Sequence, residues 1–187
     1  LPLPPGTLAT LWRNEERFVK SYMTNFPGHY ETSDGGYIDE NGYVFVMGRM
    51  DDVINIAGHR LSTGAMEEII ATHQDVAECA VIGVDDQLKG QLPLGLVVLK
   101  AGVNRDHDEI VRELAQMVRG QIGPIACYKT SAVVSRLPKT RSGKILRGTM
   151  RAIAAGREYR APSTIDDPAV LQEITEEMHK LGLPKQG

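Results

Sequence analysis

From Asp51 onward, short apolar runs alternate with segments of helical period, which confines this chain to helices layered on a small sheet. Residues 53–57 and 60–61 bracket Gly58 as a hairpin, and Ser62 or Thr63 can cap a helix carrying Met66, Ile69 and Ile70 on one face. Residues 76–84 and 94–100 read as strands. Between 107 and 121 the apolar positions Ile110, Val111, Leu114, Met117 and Val118 follow helical spacing, which Gly123-Pro124 stops. A short strand at 132–134, a short basic helix at 145–155 and a terminal helix opened by Asp167-Pro168 complete the series. Ahead of Asp51, Asn14 can cap a helix running through Phe18, Val19, Tyr22, Met23 and Phe26, and Asn41-Gly42 marks a hairpin because both residues tolerate positive φ. The expected class is α+β. The polar run Gly48-Arg49-Met50-Asp51-Asp52 between the two hairpins can be a tight turn or a hinge, and by itself it favours the turn.

Composition narrows function only by exclusion. Apolar residues make up 42% of 187, enough for a core, and the net charge of −3 names no polyanionic partner. Cys79 and Cys127 cannot build a disulfide framework, so a reducing compartment is expected. The apolar runs at 79–84 and 92–99 are too short to span a bilayer, and the Leu-Pro-Leu-Pro-Pro opening without Met suggests a fragment. No two histidines share metal-ligand spacing and no Cys-x-x-Cys occurs, which argues against zinc. His73, near a helix end, reads as a surface or capping residue.

Charge is locally uneven. Nine basic residues against the single acid Glu158 lie between Lys129 and Arg160, a local +8. Such a run is either a solvated face or a site for an anionic ligand. Nucleic acid is the rival ligand, but only Tyr128 and Tyr159 offer stacking platforms there. Gly143-Lys144 lacks the upstream glycine and the following Ser/Thr of a Walker loop. Lys144 is then either a mobile cation on a Thr/Ser/Gly loop or part of a plain surface loop. Asp34, in a glycine-rich turn, either stabilises that turn or presents a carboxylate to a ribose diol.

Four segments in fixed order carry a resemblance. Ser33-Asp34-Gly35, Gly48-Arg49-Met50-Asp51-Asp52, Ala57-Gly58-His59-Arg60 and Pro138-Lys139-Thr140-Arg141-Ser142-Gly143-Lys144 together resemble the C-terminal part of the adenylate-forming acyl-CoA synthetases, above all their short-chain acetyl-CoA and propionyl-CoA members. The resemblance implies the end of a large AMP-binding domain over residues 1–50 and a mobile C-terminal domain over 51–187. It also implies an acid–thiol ligase that joins a small carboxylate, propionate or acetate, to coenzyme A at the expense of ATP, through an acyl-adenylate, with AMP and diphosphate released. Asp34 and Arg49 would hold the ribose of ATP or AMP, Arg60 would meet phosphate, and Lys144 would be catalytic. Ala57, Gly58 and Arg119 would line the coenzyme A path, although acetyl-specific relatives often have Ser at the Ala57 position. Asp51 would be the hinge, and Mg²⁺ would sit near Ala71, His73 and Val76. Lys144 would also be a target for a lysine acetyltransferase and deacetylase. The family's phosphate loop and acyl pocket lie upstream, so the fragment alone is expected to be inactive. No nucleic-acid or membrane partner is implied, and the expected compartment is the cytoplasm, or the mitochondrial matrix in a eukaryote.

Overall fold

The computed structural model describes residues 6–184, the side chains at 47, 48 and 51 excepted. The chain divides into two units, Leu1–Asp51 and Asp52–Gly187.

In the first unit, Asn14 caps α1 (Glu15–Tyr22), its side chain accepting from the Arg17 N–H at 3.2 Å. The helix ends at Tyr22, four residues before Phe26. The Met23 N–H and the Thr24 hydroxyl both take the Val19 carbonyl, each at 2.9 Å, and close the last turn. Strands β1 (Asp34–Ile38) and β2 (Val44–Arg49) pair antiparallel across the expected hairpin. Of the two turn residues only Gly42 takes positive φ, +85°. The Asp39 carboxylate accepts the N–H groups of Asn41 and Tyr43 at 3.0 and 2.8 Å, which favours a longer loop over the two-residue turn.

The second unit opens with β3 (Val53–Ile56) and β4 (His59–Ser62), joined at Ala57-Gly58, both with positive φ of 49° and 86°. Ser62 caps α2 (Thr63–Ala71), accepting from the Ala65 N–H at 3.3 Å. Strands β5 (Val76–Asp86) and β6 (Gly90–Leu99) pair antiparallel along their whole length. Asp106 caps α3 (His107–Gln121), and β7 (Thr130–Val133) then runs parallel to β6. Helices α4 (Arg147–Ala154) and α5 (Val170–Lys180) finish the unit. The sheet order is β4-β3-β6-β5, with β3 meeting β6 at Ile56–Gly90 and β7 meeting it at Leu94–Val97. The basic helix starts two residues later than expected because Ile145 bridges Lys139 and the Leu146 N–H donates to the Pro138 carbonyl at 2.8 Å.

Both faces of the β5–β6 pair are covered, so the α+β expectation holds as three layers. On one face Ala80, Ile82, Leu94 and Leu96 pack with Met150 and Ile153 of α4 and with Leu171, Ile174 and Met178 of α5. On the other, Val81 and Val97 pack with Met66 and Ile70 of α2 and with Ile110, Leu114 and Val118 of α3. Burying each of the larger of these side chains, Ala80 apart, contributes about 1.5–3 kcal/mol relative to exposure.

Gly95 of β6 lies under the hydroxyl of the buried Tyr128, which shares a 2.6 Å hydrogen bond with Ser131. A Cβ at Gly95 would overlap that hydroxyl, and it would come within 2.9 Å of Ser131 Oγ. Gly95→Ala is therefore expected to cost about 1–3 kcal/mol by overpacking. Urea denaturation checks this, because Tyr128→Phe removes the overlapping oxygen and should recover part of the loss. An equal loss in both backgrounds would refute the account.

Candidate functional site

Lys144 lies at the end of a short hairpin whose own bonds hold it. The Thr140 N–H donates to the Lys144 carbonyl and the Gly143 N–H to the Thr140 carbonyl, both at 2.8 Å, while Thr140 Oγ1 accepts the Lys144 N–H at 3.1 Å. Gly143 takes φ +84°, which a side chain would strain. The Arg141 N–H donates to Thr164 and the Asp166 N–H to Lys139, which ties the hairpin to the segment before α5. On its entry leg, Lys139 Nζ bonds both Glu78 oxygens at 2.7 and 2.8 Å. Beyond its exit, Arg147 Nη2 bonds both Glu67 oxygens at 2.9 and 2.7 Å. Arg136 pairs with Asp166 and Asp167 at 3.2 and 3.3 Å. The basic run is thus partly neutralised in place. Lys144 itself is exposed, and among the described residues no ion pair or side-chain hydrogen bond takes its ammonium. The result is an unpaired cation on an ordered loop.

A second group gathers at the other end of the sheet. The Ala57 N–H donates to the Lys89 carbonyl at 2.7 Å, and Lys89 Nζ donates to Cys127 Sγ at 3.0 Å. Cys127 lines a cavity of about 160 Å³ together with Arg119, Lys129, Gly123 and Pro124. The structure therefore links Ala57 to the Arg119 cavity through Lys89 and Cys127, a connection with no signal in the sequence. Gly58 has open space where a Cβ would stand, and its φ of +86° requires glycine for the turn alone. Arg60 is exposed on β4 opposite Asn55. Burial pushes the Cys79 thiol up to about 11, whereas Cys127 lies in the cavity wall. Both cysteines are free.

In the first unit Asp34 and Arg49 are register partners at the end of the β1–β2 pair, with Arg49 Nη1 4.0 Å from Asp34 Oδ1 and 3.3 Å from the Thr32 carbonyl. Asp34 also borders a groove of about 580 Å³ lined by Phe26, Tyr30 and Met50. Asp51 lies in a 3₁₀ turn, Met50–Asp52, and its side chain is outside the described residues.

His73 is buried, which corrects the surface half of its reading, and it stands just past α2 with its backbone N–H donating to the Ile70 carbonyl. Its Nε2 lies 2.8 Å from Glu113 Oε2, and its Nδ1 accepts the Asp75 N–H at 3.2 Å. The ring is committed, so Ala71, His73 and Val76 can offer a divalent ion only backbone carbonyls. Arg105 bonds Glu113 at 2.6 and 3.0 Å and Asp75 at 2.9 Å. Those hydrogen bonds, from Arg105 first and His73 second, lower the Glu113 carboxyl from 4.5 to about 2. A lowered folded-state value means stability that is complete above about 4.5 and lost as pH falls toward about 2. Denaturation midpoints measured down that range should fall, and Glu113→Gln should flatten the fall. An unchanged slope in the variant would assign the acid limb elsewhere.

Residues 65–144 match the model of the AMP-binding enzyme C-terminal domain. Among the relatives, an uncharacterized protein of Pseudomonas aeruginosa is 61% identical over 93% of this chain and 28% of its own length. The mouse acyl-CoA synthetase short-chain family member 3, mitochondrial, is 50% identical over 94% of this chain and 26% of its own. The acetyl-coenzyme A synthetase of Bdellovibrio bacteriovorus is 44% identical over 92% and 27%. The chain thus spans roughly a quarter of the length of these relatives. The crystal structure of ATP-bound MatB from Rhodopseudomonas palustris matches with a TM-score of 0.61 at 27% identity, covering 76% of this chain and 27% of that one. Among the described residues no helix is long and apolar enough to cross a membrane.

Proposed function

We propose that this chain is the C-terminal part of an ATP-dependent short-chain acyl-CoA synthetase. The observation that carries the reading is Lys144, an unpaired ammonium on a braced hairpin inside the stretch that matches the AMP-binding C-terminal domain. In the first step a carboxylate oxygen attacks the α-phosphorus of ATP, forming the acyl-adenylate and releasing diphosphate. Two anions must approach each other, and a positioned cation stabilises the charge that develops. Lys144 supplies it, Arg60 meets phosphate, and Asp34 with Arg49 takes the ribose hydroxyls. In the second step the coenzyme A thiol attacks the acyl carbonyl and AMP leaves. The Ala57-Gly58 turn and the cavity holding Arg119 and Lys129 suit the anionic, phosphate-bearing end of coenzyme A.

Asp51 is the hinge that brings the coenzyme A face into use after adenylation. The carboxylate is short, propionate or acetate, and Mg²⁺ arrives with ATP. An ion on the carbonyls of Ala71, His73 and Val76 is structural and takes no part in the reaction. Acetylation of Lys144 and its reversal switch the first step, because acetylation removes the charge that step needs. The reaction runs in a reducing compartment, the cytoplasm or, in a eukaryote, the mitochondrial matrix.

Isothermal titration of this chain with coenzyme A, ATP and a short oligonucleotide tests the reading. Coenzyme A binding that Arg119→Ala abolishes is the expected result. Preference for the oligonucleotide would instead support a non-catalytic nucleic-acid-binding module using the same basic segment.

A further inference from the structure

Arg147 opens α4 three residues after Lys144, and its guanidinium is turned into the protein, its side chain 24% exposed. One nitrogen, Nη2, holds both oxygens of Glu67, whose side chain is 17% exposed. Glu67 Oε1 in turn accepts the Val81 N–H of β5 at 2.7 Å, so the pair is anchored to the middle of the sheet. Arg147 Nε is buried without a hydrogen-bond partner, and Asp52 Oδ1 stands 3.9 Å away. The Asp52 carbonyl accepts the Thr63 hydroxyl at 2.8 Å, which fixes the start of the second unit to α2. Asp52, Arg147, Glu67 and Val81 therefore form one connected line. It runs from the residue after Asp51, past the end of the lysine hairpin, into the central sheet.

We propose that Arg147 is a positioning residue that acts through Lys144, clamping the exit of the lysine hairpin to Glu67 and to the start of the second unit at Asp52. Its part in adenylation rests on the function proposed above. The slack between clamp and lysine is small, because Leu146 is itself bonded to the Pro138 carbonyl. Lys139 on Glu78 holds the other leg, so each leg of the hairpin has one charged anchor. An exposed four-carbon amine gains rate only where its backbone is held, since misplacement by about 1 Å can cost roughly 10²-fold. Arginine suits the post better than lysine. Its fork can hold Glu67 and still aim Nε at Asp52, which a single ammonium cannot do.

The test has two arms. In this chain, amide hydrogen exchange at Gly143 and Lys144 should quicken in Arg147→Met, while amides in the middle of β5 stay protected. Because Arg147→Met strands the Glu67 carboxylate, Glu67→Gln/Arg147→Met is measured beside it. The glutamine keeps an oxygen for the Val81 N–H, and the same quickening is expected. Wild-type exchange in the double variant would overturn the clamp. In the intact enzyme, Arg147→Met should slow adenylation by roughly 10²-fold. KM for ATP and thioester formation from added acyl-adenylate should change little, and Arg147→Lys should restore only part of the rate. In a Lys144→Ala background the same substitution should cost nothing further. Losses that add, or that fall equally on both steps, would overturn action through Lys144. If Lys144→Ala itself leaves adenylation intact, the proposed function falls and Arg147's part in adenylation with it. The exchange arm still reports the clamp in that case.

Discussion

Replacing Lys144 by alanine in the intact enzyme is expected to slow acyl-adenylate formation by roughly 10²–10³-fold, the usual cost of one charge-stabilising donor. Thioester formation from supplied acyl-adenylate should continue near its normal rate, because the proposed coenzyme A contacts, Ala57, Gly58 and Arg119, lie on other elements. The fold should be indifferent, since the Lys144 side chain is exposed and takes no hydrogen bond or ion pair among the described residues. Only its backbone serves the hairpin, and alanine keeps both of those bonds. Chemical acetylation confined to Lys144 should reproduce the variant, because it removes the same charge. Single-turnover assays of the two half-reactions decide the matter. Equal loss in both would show that Lys144 is not specific to the first step, and normal adenylation by the acetylated enzyme would remove the charge argument.

Asp51→Pro is expected to separate the half-reactions in a different way. Residues Met50–Asp52 form a 3₁₀ turn, a conformation whose φ is in general about −50° to −70°, close to the roughly −65° that proline imposes. The fixed φ of proline therefore suits position 51 of such a turn and resists a large change of φ there. The preceding residue, Met50, is also pushed away from helical angles, which disturbs the turn locally. If Asp51 must change its dihedrals between the two steps, one half-reaction should survive near its normal rate while the other collapses. The melting temperature should move little. If Asp51 is only a turn residue, proline either does nothing or unsettles both steps together. Parallel loss of both half-reactions, followed with a melting curve as control, would mean the hinge assignment is wrong.

Local rules were well expressed in this chain. The α3 boundaries fell at 107 and 121 as the apolar spacing indicated, Ser62 was the one of the two candidate caps used, and the hairpin turned at Gly58 as expected, with Ala57 drawn from the strand into the turn. Each of these depends on residues within one turn or one hairpin, where hydrogen-bond satisfaction is decided by neighbours. Expectations failed where a nearby polar group offered the backbone a better partner. Asp39 reshaped the loop at Asn41-Gly42, and the Thr24 hydroxyl helped close α1 ahead of Phe26.

The sequence by itself named candidates: Lys144 on a glycine-bearing loop, Asp34 in a glycine-rich turn and the cations of the segment from Lys129 to Arg160, with Arg49 added by the resemblance. Only the tertiary structure decided which of those cations are spent and which are left. Glu67 and Arg147 stand 80 positions apart, and Glu78 and Lys139 stand 61 apart, so no local pattern marks either pair. The same holds for His73 and Glu113, 40 positions apart, a pairing that the reading of His73 as a surface or capping residue did not contain. Charges find partners only when the sheet brings α2, β5 and α4 side by side. That packing follows from burial of the apolar faces, a long-range sum that no single segment carries.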